Sequence, residues 1–74
     1  MKLYVLVTND EDTGLYATLH SSCEGAYEEL RRVYFEDIPR GNLARIKREA
    51  DRKPQFSWTV LEQDYVITQN PHER

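Results

Sequence analysis

Apolar and polar positions alternate near both ends of the chain and recur at helical spacing between them. Leu3–Thr8 (LYVLVT) is β-branched, apolar or aromatic at every position, which predicts a central strand covered on both sides. Leu15–His20 (LYATLH) alternates, and the pattern assigns Leu15, Ala17 and Leu19 inward and Tyr16, Thr18 and His20 outward. Asn9-Asp10-Glu11-Asp12-Thr13-Gly14 lies between them. Its Asn and Asp residues favour turns and Gly14 tolerates positive φ, so the two strands form a hairpin.

Ser21-Ser22-Cys23-Glu24 opens a helix, with Ser21 and Glu24 placed to form a capping box. Cys23, Ala26, Tyr27, Leu30, Val33 and Tyr34 fall on one stripe, and Glu24, Glu28, Arg32 and Glu36 lie opposite. The spacing predicts a helix over 23–35, with Glu28 and Arg32 as an i,i+4 pair. Asn42 caps a second helix over 43–52, which ends before Pro54 and has Leu43, Ile46 and Ala50 as its apolar stripe. Gln55–Leu61 (QFSWTVL) is a strand with Phe56, Trp58 and Val60 on one side, and 62–64 is a turn or a bulge. Tyr65–Thr68 continues the sheet or adds a short fourth strand, and 69–74 is a flexible C-terminal tail.

The sum is ββααβ(β): an α+β domain over 1–68, with an antiparallel three- to four-stranded sheet and two helices on one face. If Tyr4, Leu6, Tyr16 and one side of Phe56–Leu61 line the second sheet face, it is too apolar to stay wholly wet. With 74 residues, the chain buries only about 60–65% of its unfolded surface. Its single cysteine forms no internal disulfide, so a monomer or a homodimer is expected. The lone thiol and the absence of a signal-like or membrane-length apolar run point to a cytoplasmic protein.

Charge divides the chain. Residues 40–53 hold six bases and two acids, whereas residues 1–39 hold eight acids and three bases, within a net charge of −3. Two surfaces of opposite potential steer charged partners. Arg45, Arg48 and Arg52 share a helix face, partly neutralised by the i,i+4 pairs Arg45–Glu49 and Lys47–Asp51. With Phe56 and Trp58 nearby, this face has the ingredients of single-strand nucleic-acid binding, although the domain as a whole is acidic.

No catalytic or metal motif emerges. Asp10-Glu11-Asp12 fails as a calcium loop, because Gly14 falls at position 5 and Ser21 at position 12. His20 and Cys23 are two ligands where zinc wants three or four, and Cys23 reads as a small core hydrophobe. Neither a metal nor a cofactor is expected. Phe35, on the polar side of the first helix beside Glu36 and Asp37, is either a binding anchor with a charged rim or a ring turned in beneath Ile38.

In size, acidity and compact α+β layout, the chain resembles small phage-borne inhibitors of the anti-CRISPR type. That resemblance implies a non-enzymatic protein that blocks a host nucleic-acid-handling complex through charged surfaces. Asp10, Glu11, Asp12, Glu24, Glu28, Glu29, Glu36 and Asp37 supply the acidic charge. The expected partner-binding residues are Asp10, Glu11, Asp12, Glu28, Glu29, Arg32, Phe35, Glu36 and Asp37. The alternative is a nucleic-acid-binding regulator that uses Arg45, Arg48 and Arg52.

Overall fold

The computed structural model describes residues 2–64. The expected strand over 65–68 and tail over 69–74 lie outside them. The order is β1 (Lys2–Asp10), β2 (Gly14–His20), α1 (Cys23–Tyr34), α2 (Leu43–Arg52) and β3 (Phe56–Asp64). The sheet is antiparallel throughout, in the order β2-β1-β3, so the most apolar strand is central as expected. Both helices cover one face, and the architecture is α+β.

A three-residue loop closes the hairpin between Asp10 and Gly14, which pair in register. Gly14 takes φ 78°, the left-handed conformation such loops require. The register sets the parity of every strand. Leu6 lies between Thr18 and Val60, and Thr8 between Tyr16 and Trp58. Leu6 and Thr8 are fully buried beneath the helices, in a core completed by Ala26, Tyr27, Leu30, Ile38, Ile46 and Ala50. The Thr8 hydroxyl is satisfied by the Tyr34 hydroxyl at 3.0 Å.

This parity reverses the expectation for β2. Tyr16, Thr18 and His20 face the helices, while Leu15 and Leu19 stay 76% and 67% exposed on the opposite face. One polar contact, from Tyr16 to α1, ties this face to the helices. Tyr16 donates to the Glu29 carboxylate on α1, and the Thr18 hydroxyl meets the His20 ring at 2.7 Å. A single-residue slip would exchange all of these side chains between faces. Tyr4, Leu6 and Tyr16 therefore belong to the helix-covered side, and the open face carries Leu3, Val5 and Val7 from the central strand.

Three boundaries also differ. Ser22, not Ser21, caps α1, accepting from the Gly25 N–H at 3.0 Å. The helix ends at Tyr34, with Phe35 as its C-cap. β3 runs unbroken through 62–64, where it pairs with residues 2–4 of β1, and Lys2 also reaches Glu62 at 2.6 Å and Asp64 at 3.4 Å. Asn42 caps α2 as expected, accepting from the Arg45 N–H. The connection over 35–42 runs back along α1, where Arg31 donates to the Glu36 and Ile38 carbonyls and Arg40 reaches Glu28. The start of α2 therefore lies beside the first half of α1.

Leu30→Ala should cost about 2–5 kcal/mol, because it opens a cavity among fully buried side chains. Leu15→Ala should stay within about 0.5 kcal/mol in dilute protein. Urea denaturation of the two variants checks the assigned faces directly.

Candidate interaction surface

The elements converge at the hairpin end of the domain. The Tyr34 hydroxyl at the end of α1 reaches Thr8 at 3.0 Å and Thr13 in the hairpin loop at 3.4 Å. Phe56 opens β3 opposite Asp10, and Lys53, just after α2, lies over the Phe56 ring at 5.7 Å. The Phe56 ring packs edge-on against Tyr34 at 4.9 Å and against Phe35 at 6.2 Å. Phe35 is thus half-buried and turned in towards the core, with one side still accessible.

Two shallow open depressions mark this end. One, of about 300 Å³, is lined by Asn9, Glu11, Gln55, Phe56 and Ser57. The other, of about 310 Å³, is lined by Phe35, Glu49, Arg52, Lys53 and Pro54. Gln55 takes φ 54° and is the one non-glycine residue in the left-handed region among the described residues. The sequence pattern assigns Gln55, Glu49 and Lys53 to a strand and a basic stretch and to no candidate surface. The signal was Pro54, which compels a sharp entry into β3 at the place where hairpin and helices meet.

The acids divide into two sets. Glu28 accepts both fork nitrogens of Arg31, at 2.9 and 2.8 Å, and Arg40 at 3.2 Å. The Arg31 hydrogen bonds, followed by those of Arg40, hold its carboxyl down at about 2. Glu29 accepts from the Tyr16 hydroxyl and from Arg32 at 2.6 Å, and both lower its pKa, Tyr16 the more strongly. Arg32 therefore pairs with Glu29 rather than with Glu28, because Glu28 is turned towards Arg31 and Arg40. Glu28, Glu29 and Arg32 knit the helix layer together, so little of their charge is left for a partner. Glu11, Asp12, Glu36 and Asp37 are exposed, Asp10 is half-buried, and none of the five is in an ion pair among the described residues.

The basic helix behaves in the opposite way. The expected pairs Arg45–Glu49 and Lys47–Asp51 are not formed among the described residues; instead Asp51 accepts from the Trp58 indole N–H at 2.9 Å. Arg48 and Arg52 are exposed and Arg45 is half-buried, while Lys47 lies over the Tyr27 ring at 5.1 Å. Trp58 packs edge-on against Tyr27 at 5.8 Å and belongs to the core wall rather than to a stacking platform.

Cys23 is half-buried against the core, as a packed hydrophobe would be. Among the described residues, no group of three or more His, Cys, Asp or Glu side chains can hold a metal ion. No helix there is long and apolar enough to cross a membrane. No protein-family model, curated protein or solved structure matches this chain.

Because Glu28 is depressed from an ordinary 4.5 to about 2, its contribution to stability is complete above about pH 4.5. It fades as the pH falls through the folded value. Glu28→Gln should lower stability at neutral pH and flatten the loss between about pH 4.5 and 2. Denaturation midpoints across that window, in the protein and the variant, read the difference.

Proposed function

We propose that the protein is a small non-enzymatic protein-binding module. On this reading it is an inhibitor of the anti-CRISPR type that blocks a nucleic-acid-handling complex from its hairpin end. The observation that carries the reading is the convergence there of acids outside any ion pair with an accessible aromatic edge. Asp10, Glu11 and Asp12 come from the hairpin, Phe35 packs edge-on against Phe56, which opens β3 opposite Asp10, and Glu36 and Asp37 follow Phe35 in the chain. An anchor ring with a charged rim is the arrangement that gives protein interfaces both affinity and selectivity.

The acidic surface available to a partner is narrower than the full set of acids. Glu28 and Glu29 act within the helix layer, so the contact is built from Asp10, Glu11, Asp12, Phe35, Glu36 and Asp37. The charges at this end imitate phosphates to a basic groove, and the ring fills a pocket beside them. Glu36→Lys with Asp37→Lys should weaken binding to the captured partner at least about tenfold while leaving the melting temperature unchanged. Glu28→Lys should lower the melting temperature first. Isothermal titration and thermal melts of the two variants separate these effects. Unchanged affinity in the Glu36/Asp37 variant removes this surface from the reading.

One observation favours a second reading. Among the described residues the predicted Arg45–Glu49 pair is not formed and Arg48 and Arg52 are in no ion pair, so α2 presents positive charge free for phosphates. A nucleic-acid-binding regulator using this face should bind single strands with a log–log salt slope of about −2, given three such contacts. A flat gel-shift titration at low salt eliminates it.

A further inference from the structure

We propose that the depression between the hairpin and the start of β3 receives an arginine side chain of a protein partner. The inference rests on the reading of the hairpin end as a protein-binding surface, and it names the chemical group that this part of the surface takes.

Register builds the site. Asn9 lies opposite Ser57 and Asp10 opposite Phe56, and one further step along the two chains brings Glu11 to Gln55. Across that step the Gln55 side-chain amide donates to the Glu11 carboxylate. Gln55 holds φ 54° where it makes this contact. A side chain persists in left-handed backbone only where its surroundings hold it there. Asn9, Glu11, Gln55 and Ser57 are all exposed, and all four line the depression of about 300 Å³. Phe56, the fifth lining residue, gives its ring to Tyr34 and Phe35. The polar residues thus form two rows, about 7 Å apart along the strands and about 5 Å across each row.

The chemistry of the four selects the ligand. Each offers an oxygen acceptor: one carboxylate, two carboxamide carbonyls and a hydroxyl. Because the Gln55 amide nitrogen faces Glu11, its carbonyl oxygen is turned away from that carboxylate and can accept from a ligand. No base lines the depression, and Asp10 and Asp12 flank Glu11 in the chain, so anions are repelled. Lys53 lies over the Phe56 ring at 5.7 Å and lines the other depression. A divalent metal ion is poorly served by a single carboxylate, and no group of three metal-binding side chains occurs among the described residues.

A cation with several directed donors fits what remains. An ammonium donates from one nitrogen, to acceptors within about 3 Å of it. Acceptors spread over about 5 by 7 Å suit the planar fork of a guanidinium, which gives two N–H groups to the carboxylate and keeps others for the amide and hydroxyl oxygens. The depression is open, so water screens the pair and a single arginine binds weakly. In a partner interface such a contact supplies selectivity more than affinity.

Heteronuclear NMR titration of the full chain with N-acetyl-arginine amide tests the proposal. The comparison ligands are N-acetyl-lysine amide and the uncharged citrulline analogue, at matched ionic strength. Saturable shifts are expected at the backbone amides of Asn9, Glu11, Gln55 and Ser57, with a dissociation constant on the order of 10 mM. The lysine derivative should bind at least about threefold more weakly, and the citrulline derivative should give no saturable shift. Glu11→Gln should abolish saturation. Gln55→Gly, which suits left-handed backbone, should weaken binding at least about threefold without lowering the melting temperature. Shifts that do not saturate, or that centre on other residues, overturn the proposal. So does equal binding of the citrulline or the lysine derivative, or undiminished binding by Glu11→Gln. The Glu36/Asp37 test reads separately. A partner that loses affinity in that variant, with no arginine binding at the depression, keeps the protein-binding reading and removes this inference. Arginine binding with unaltered partner affinity in that variant keeps this site and removes the Glu36/Asp37 surface.

Discussion

The side on which β1 presents its even-numbered residues governs the rest of this molecule. Leu6 and Thr8 point into the helices, and their neighbours in register, Thr18, Tyr16, Val60 and Trp58, must follow. Once that parity is set, α1 brings Ala26, Tyr27 and Leu30 down on Leu6, and α2 adds Ile46 and Ala50. Tyr34 is drawn over Thr8 by a hydroxyl pair, which fixes the end of α1 above the hairpin loop. The same choice strands Leu15 and Leu19 on the far side. Core, aromatic cluster and open apolar face are three consequences of one register.

Electrostatics follows the same frame. The half-polar edge strand β2 offers Tyr16 to Glu29, and the return loop over 35–42 brings Arg40 to Glu28. Two of the acids on α1 are thereby tied into structure. The acids at the hairpin and just after α1 form no ion pair among the described residues, although Arg31 donates to the Glu36 carbonyl and Lys53 lies over Phe56 at the same end. A chain with clustered charges of both signs thus arrives at an ion-paired middle, an acidic end and a basic second helix. The functional reading depends on that sorting more than on the total charge.

Much of the architecture was legible in the sequence. Five elements appear where hydrophobic spacing places them, with the apolar run of β1 in the centre and the Leu43, Ile46 and Ala50 stripe buried or partly buried. The inverted face of β2 was not legible. LYATLH puts its aliphatic residues at odd positions, and alternation alone says they go inside. What decides otherwise is long-range, since Glu29 on α1 and the three-residue loop at Gly14 fix which set faces the helices. The capping-box spacing names Ser21, whereas the structure caps α1 with Ser22. Of the candidate surface, the hairpin acids and Phe35 were visible as residue types. Their meeting at one end was not, because it depends on the two helices both ending at the hairpin. The internal pairing of Glu28 with Arg40 is likewise a contact twelve residues apart that no helical spacing encodes.

The facing of β2 can be measured without knowing any partner. In a Cys23→Ser background, Leu15→Cys, Tyr16→Cys, Thr18→Cys and Leu19→Cys each place one thiol on the strand. Rates of reaction with a thiol reagent, in dilute folded protein, report which positions meet solvent. The structure predicts fast labelling at 15 and 19 and slow labelling at 16 and 18. Fast labelling at 16 and 18, with 15 and 19 protected, would contradict the register on which the core, the hairpin end and the open face all rest.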